Sequence, residues 1–110
     1  CVQSDKNNNL WFGTYSEGAF VYYAKQKKYK FFTKKNGLGG NQINQILKDH
    51  SGTLWFATNG GLTRYDGTAF RNFSNPDCLT NSNIISIAVD YSNHIWAGSS
   101  GGGVFIFDGV

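Results

Sequence analysis

Apolar residues gather in short clusters along this chain, each bounded by Gly, Asn, Ser or Asp. The clearest case is Asp49 to Asp66, DHSGTLWFATNGGLTRYD, which reads as two strands and two tight turns. The same arrangement precedes it from Asp5 to Tyr23 (DKNNNLWFGTYSEGAFVYY) and follows it from Asp90 to Asp108 (DYSNHIWAGSSGGGVFIFD). Each unit holds Asp, an apolar residue and Trp in one register: Asp5/Leu10/Trp11, Asp49/Leu54/Trp55 and Asp90/Ile95/Trp96. The three tryptophans stand 44 and 41 residues apart. A strand-rich repeat of about 40–45 residues is the spacing of a propeller blade.

Between these landmarks the pattern predicts an all-β chain, a β-propeller fragment of about two and a half four-stranded antiparallel meander blades, with no second domain. Blade 1 covers about residues 1–33 and is incomplete at its start, with strands at Cys1–Asp5, Leu10–Thr14, Ala19–Tyr23 and Tyr29–Thr33. Blade 2, about 43–74, has Ile43–Lys48, Leu54–Thr58, Leu62–Tyr65 and Phe70–Phe73. Blade 3, about 84–110, has Ile84–Val89, Ile95–Ser99 and Val104–Phe107 and lacks its outer strand. Lys34–Gln42 is a glycine-bearing crossing loop, and Ser74–Asn83 an exit loop containing Pro76. Ile43/Ile46 and Ile84/Ile87 have helical spacing, but their segments are too short and too bounded by turns to form helices.

Several positions fix the register further. Asn8, Gly52 and Asn93 fall together, and a tight hairpin needs a residue there that accepts a positive φ. Gly18, Gly61 and Gly103 each open a third strand, where a β-bulge or a close backbone approach is expected. LWFGT, LWFAT and IWAGS lack polar/apolar alternation and so predict strands covered on both faces. Gly13, Ala57 and Ala97 or Gly98 would leave room for a neighbouring blade's indole.

The bulk figures narrow the class. With 40% hydrophobic, 16% aromatic and 15% charged residues, the 110-residue chain has the means to bury a core and is not disordered. Fourteen Gly and one Pro fit many turns. No run of about 18 apolar residues is present, so any membrane link lies in parts of the protein outside this chain. A net charge of +3 gives no pointer to nucleic acid. Cys1 and Cys78 have no metal-ligand spacing and do not demand a disulfide. No metal and no cofactor is expected.

The candidate chemistry is mostly structural. Asp5, Asp49 and Asp90 recur in every unit, which suits an acid that accepts amide bonds two residues on within a turn. DKNNN begins like a calcium loop, but Ser16 stands where the closing Glu belongs. His50 and His94 occupy non-equivalent turn positions on one rim and read as solvated residues. Trp11, Trp55 and Trp96 read as inter-blade core rather than as a sugar-stacking platform. Lys25, Lys27, Lys28, Lys30, Lys34 and Lys35 surround an outer strand, where Lys blunts an exposed sheet edge.

At Asp49, Gly52, Leu54-Trp55-Phe56, Thr58, Gly61-Leu62 and Tyr65-Asp66 the chain resembles the two-component regulator propeller repeat. The linkers NGLGGNQINQI (Asn36 to Ile46) and DCLTNSNIISI (Asp77 to Ile87) fit that family's inter-blade segment. Trp-Asp dipeptides are missing, kelch glycine doublets sit elsewhere, and the sialidase-type box needs Gly one residue earlier than Gly52. The resemblance implies a piece of a larger ring, the extracytoplasmic (periplasmic or extracellular) sensor half of a hybrid histidine kinase, commonly carbohydrate-responsive. The expected partners are neighbouring blades or self-association, with an oligosaccharide ligand and no nucleic acid.

By that topology the ligand rim borders the central channel. Tyr15, Ser16, Glu17, Asn59, Ser99 and Ser100 lie in its turns, and Asn41, Gln42 and Asn83 in its loops. This amide- and hydroxyl-rich set suits sugar hydroxyls. A non-enzymatic sensing scaffold is the expectation. A lyase-like propeller enzyme, with Glu17 as its acid, and a protein-interaction propeller are the alternatives.

Overall fold

Every blade begins with the same hairpin, and one carboxylate organises it. Asp5 Oδ1 accepts from the Asn7 and Asn9 amides (2.8 and 2.9 Å) while Asp5 Oδ2 accepts from the Trp11 indole N–H (3.0 Å). Asp49 does the same with Ser51, Thr53 and Trp55 (2.9, 3.0 and 2.9 Å). Asp90 repeats it with Ser92, His94 and Trp96, each at 2.9 Å. The turn closes through Asn8, Gly52 and Asn93, all at positive φ (64°, 86° and 65°), as the shared position requires.

These hairpins open into the sheets of a computed structural model that describes residues 1–73, 83–100 and 103–107. Blade 1 has β1 (Val2–Ser4), β2 (Leu10–Gly13), β3 (Ala19–Tyr23) and β4 (Lys28–Phe32). Blade 2 has β5 (Ile43–Lys48), β6 (Leu54–Thr58), β7 (Gly61–Tyr65) and β8 (Phe70–Phe73). Blade 3 has β9 (Ile84–Val89), β10 (Ile95–Ser99) and β11 (Gly103–Phe107). Each sheet is an antiparallel meander in chain order, four, four and three strands wide among the described residues. The chain is all-β, built as propeller blades. Pro76, Cys78, Gly101, Gly102, Asp108 and the rest of the exit loop up to residue 82 lie outside the described residues.

The core consists of the two surfaces between blades. Trp11, Ala19, Val21 and Phe32 of blade 1 meet Ile43, Ile46, Leu54 and Phe56 of blade 2. Trp55, Ala57 and Leu62 of blade 2 meet Ile84, Ile87, Ile95 and Ala97 of blade 3. Trp11 stands 5.5 Å from Phe56 and 5.2 Å from Tyr65 across the first interface. Trp11 and Trp55 are thus inter-blade core; Trp96 is exposed.

Four local expectations change. Lys34–Gln42 is more than a crossing loop: Lys34–Asn36 forms a 3₁₀ turn capped by Thr33, and Leu38 plugs the first interface. Full cover on both faces holds only for β6, which has a blade on either side; β2 and β10 are each half covered. Gly13 makes room for Ile43 and Cys1, not for an indole, and Gly98 faces Ser86. Register shifts occur at Ile43/Gln45 and Gly98/Ser99, not at Gly18, Gly61 or Gly103. Those three glycines have φ of 81°, 121° and 88°, and a Cβ on Gly18 would run into the Phe32 carbonyl, the close backbone approach that was the other expectation there. Thr14, Thr58 and Ser99 donate to their carbonyls across the turn (2.7, 2.8 and 3.2 Å), fixing that backbone.

Asp49 is 6% exposed and holds three donors, so removing its carboxylate leaves the buried Trp55 indole N–H and two part-buried amides without their acceptor. Asp49→Ala is expected to cost about 3 kcal/mol or more in urea unfolding. Asp49→Asn, which keeps one oxygen for the two amides, is expected to cost less. An Asp49→Ala change within about 0.5 kcal/mol of the parent would refute this account of the hairpin.

Candidate functional site

The antiparallel pairing places the turns of each blade at two rims. Ile43 pairs with Thr58 and Ile84 with Ser99, so the start of each inner strand lies beside the following second-to-third-strand turn. That end is the linker rim. The Asp turns gather at the opposite rim, where Lys48 pairs with Leu54.

The linker rim collects the residues expected there in pairs. The Gly18 amide donates to the Asn41 carbonyl at 2.7 Å, joining the Tyr15–Glu17 turn to the linker. Asn59 Oδ1 accepts from the Gln42 amide (3.3 Å), and the Asn59 amide donates to the Gln42 carbonyl (3.1 Å). Ser100 donates its amide to the Asn83 carbonyl at 2.9 Å. Tyr15, Ser16 and Glu17 are exposed, and the Thr14 hydroxyl braces their turn by accepting from the Glu17 amide.

Much of this polar set works for the fold. Asn41 Oδ1 accepts from the Lys34 amide at 2.7 Å, and Ser99 Oγ is spent on Gly103. Gln42 Nε2 donates to Asn44 Oδ1, and Asn44 Nδ2 donates in turn to Asn83 Oδ1 and the Ile84 carbonyl. Gln45 Oε1 accepts from the Ile87 amide, a second bond between inner strands. Asn44 and Gln45 were not anticipated; their place on an inner strand, in a run INQI with polar residues between apolar ones, was the available signal. Asn41, Asn59 and Asn83 each accept one bond on the carbonyl oxygen, and their NH₂ groups stay available to a ligand. The rim therefore offers amide donors beside the exposed Glu17 carboxylate.

On the other rim His50 is an exposed turn residue, as expected, that also stitches two blades. Its Nε2 lies 2.8 Å from the Asp90 carbonyl, and its amide donates to Asn93 Oδ1 at 2.9 Å, both in blade 3. His94 Nδ1 lies 3.4 Å from Asp90 Oδ2. Lys6, the equivalent of His50 in blade 1, lays its stem over Gly52. A cleft of about 660 Å³ lies on this rim, lined by Asn7–Asn9 and Tyr23–Gln26. Among the described residues no group of three His, Cys, Asp or Glu is placed to hold a metal, and Cys1 is a free, exposed thiol.

Three groups titrate away from their ordinary values. Amides of Ala69 and Thr68 and the Thr68 hydroxyl hold Asp66 down at about 2. The Trp96 indole, then the His94 amide, lower Asp90. Burial raises Tyr65, assisted by Tyr23, Asp66 and Asp5.

Residues 37–60, which contain the Asp49 hairpin, match the model of the family described as Two component regulator propeller. The chain resembles, at 28% identity and a TM-score of 0.78, an extracellular domain ascribed to the hybrid two component system BT3049 of B. thetaiotaomicron. That match covers 88% of this chain and 14% of the other. The extracellular domain of BT4673 from the same organism has the same fold, at 24% identity and a TM-score of 0.80, over 98% of this chain and 16% of that one. The chain spans about one-sixth or less of these structures. No curated protein matches it. The resemblance read from the repeat is the family that the comparison finds, and the neighbours are extracellular domains.

Two measurements follow. Asp66 and Asp90 are more acidic folded than the ordinary value of about 4, so each stabilises the fold above that pH and the contribution disappears as pH falls through the folded pKa. Fluorescence-monitored unfolding is expected to show stability falling from about pH 4 toward pH 2, with Asp66→Asn flattening the lowest part; an unchanged profile contradicts it. Asn59→Ala removes an exposed linker brace and is expected to cost about 1 kcal/mol in urea unfolding.

Proposed function

We propose that this chain is part of the extracytoplasmic β-propeller sensor of a two-component signalling receptor, a non-enzymatic scaffold that binds an oligosaccharide at the linker rim. The observation that carries the reading is the match of the Asp49 repeat to the two-component regulator propeller family, supported by the likeness to an extracellular domain of such a system. The donor character of the rim supports the ligand class. The NH₂ groups of Asn41, Asn59 and Asn83 suit sugar oxygens, and the exposed Tyr15 ring offers a stacking face.

Coupling to the rest of the receptor runs through the same bonds. A ligand held by the Tyr15–Glu17 turn bears on Asn41 through the Gly18 amide, and on β5 through the bond from the Ile43 amide to the Thr14 carbonyl (2.8 Å). Such a ligand shifts the balance between receptor arrangements in proportion to its differential affinity for them. The non-enzymatic reading has its own support: Glu17 is on the linker rim, whereas His50 and His94 are on the other. An acid–base pair needs hydrogen-bond reach of one substrate.

The test uses the full receptor in cells with a transcriptional reporter and a panel of defined oligosaccharides. Tyr15→Ala and Glu17→Ala are expected to raise the concentration of the inducing sugar needed for half-response by about tenfold, the effect of losing one good contact, with unchanged receptor abundance. Cleavage of any of these sugars by the purified protein, or a full response in both variants, overturns the proposal.

A further inference from the structure

Lysines crowd one edge of blade 1. Lys25 and Lys27 stand in the turn after β3, Lys28 and Lys30 on β4, and Lys34 and Lys35 in the 3₁₀ turn. From Gly18 to Lys48 the chain has no acid. All six lysines are exposed, and among the described residues none of them makes an ion pair. Blade 1's own acids lie elsewhere, Asp5 tied into its hairpin and Glu17 in the rim turn. β4 is the free edge of its sheet, whereas a neighbouring blade covers a face. Lys28 pairs with Tyr23 and Lys30 with Val21, on the side where Val21 and Phe32 pack against blade 2. They stay exposed with blade 2 in place, so their freedom does not depend on where the chain begins.

Guarding a sheet edge against other strands does not account for so many lysines. The equivalent stretch of blade 2, Asp66 to Phe73, also ends in a free edge strand, yet its charged residues are Asp66 and Arg71 alone. Lys27 holds a φ of 54°, which suits Gly or Asn, as at Asn8 and Asn93, better than Lys. Residues two apart on a strand are separated by about 7 Å. That is within the Debye length of about 8 Å at physiological salt. The lysines therefore repel one another in the free protein and act together on a chain of negative charges.

We propose that this edge binds an acidic polysaccharide, a sugar chain with carboxylate or sulfate groups along its length, running from the turn after β3 to the linker rim. The lysines continue past both ends of β4, so an acidic peptide added to β4 as a further strand would meet only the middle of the row. Tyr29 and Phe31 point to the opposite side of β4, against Tyr22 and Phe20. No exposed ring stands beside Lys28 and Lys30 for the bases of a nucleic acid to stack on. No exposed apolar side chain accompanies them there for insertion into a lipid surface. At the other end the Lys34 amide donates to Asn41 Oδ1 (2.7 Å), which joins the row to the linker rim. The choice of a sugar rests on the sensing proposal for that rim; the negative charge of the ligand does not.

In calorimetric titrations the purified protein is expected to bind polygalacturonate and dextran sulfate, more weakly at physiological than at low salt, and not neutral dextran. Combining Lys25→Gln, Lys27→Gln, Lys28→Gln and Lys30→Gln is expected to leave the far-ultraviolet spectrum unchanged. It should weaken binding about 30-fold, roughly two- to threefold for each exposed pair. Lys27→Gly is expected to weaken binding about two- to threefold while leaving the urea midpoint unchanged or higher, because Gly suits that φ. Arg71→Gln, at the place in blade 2 equivalent to Lys30, is expected to leave affinity unchanged. Failure to bind either acidic polymer, affinity that survives the four-lysine variant, or an equal loss in Arg71→Gln overturns the proposal. Tighter binding of poly-glutamate, a single-stranded oligothymidylate or phosphatidylglycerol vesicles also overturns it. Failure of the sensing proposal is read separately, in the reporter response of the Tyr15 and Glu17 variants.

Discussion

The fold depends on a carboxylate shared between a turn and an indole. A turn of this tightness leaves two amides pointing inward, and a tryptophan buried between sheets brings an N–H that needs an acceptor. One aspartate satisfies all three, with one oxygen for the amides and the other for the indole. The same bond that closes the hairpin therefore orients the ring that fills the next interface. Local turn chemistry and long-range packing are one interaction here, which is why Asp and Trp keep a constant separation while the linkers vary.

From that anchor the rest of the architecture follows by addition. The indole of one blade needs a bed of apolar residues on its neighbour, which Ile46, Leu54 and Phe56 supply. The blades are further tied at both rims, through His50 and Asn93 on one and Gln42, Asn44 and Asn83 on the other. Leu38 shows that even the linker contributes to the core. A central blade gains cover on both faces and an end blade on one, so burial in β6 and exposure at Trp96 have a single cause.

The fold was legible because its signals are local and repeated. The Asp–Trp spacing, the positive-φ residues at Asn8, Gly52 and Asn93, and the apolar clusters all lie within one hairpin. What escaped was set by contacts between distant residues. Nothing in the His50 region reveals that its ring reaches Asp90, and Gly13 could not announce that its neighbour is Ile43. The indole bond to Asp49 was within reach, since a six-residue spacing recurs three times, but the turn role alone already explained the aspartate. Topology alone puts the rim residues at the linker end of the blades. That Asn41 and Asn59 use their oxygens on backbone amides, and Asn83 its oxygen on the Asn44 side chain, depends on loop conformation, which composition does not encode.

The clamp joins residues only six positions apart, so closing it costs little chain entropy. Each hairpin can form before any blade has found its neighbour, and the same hairpin forms whichever blade comes next. A gene segment of one repeat length, copied in tandem, would carry its own turn lock, its own indole and its own receiving face. Blade number can thus change by duplication without any residue of the existing blades having to change.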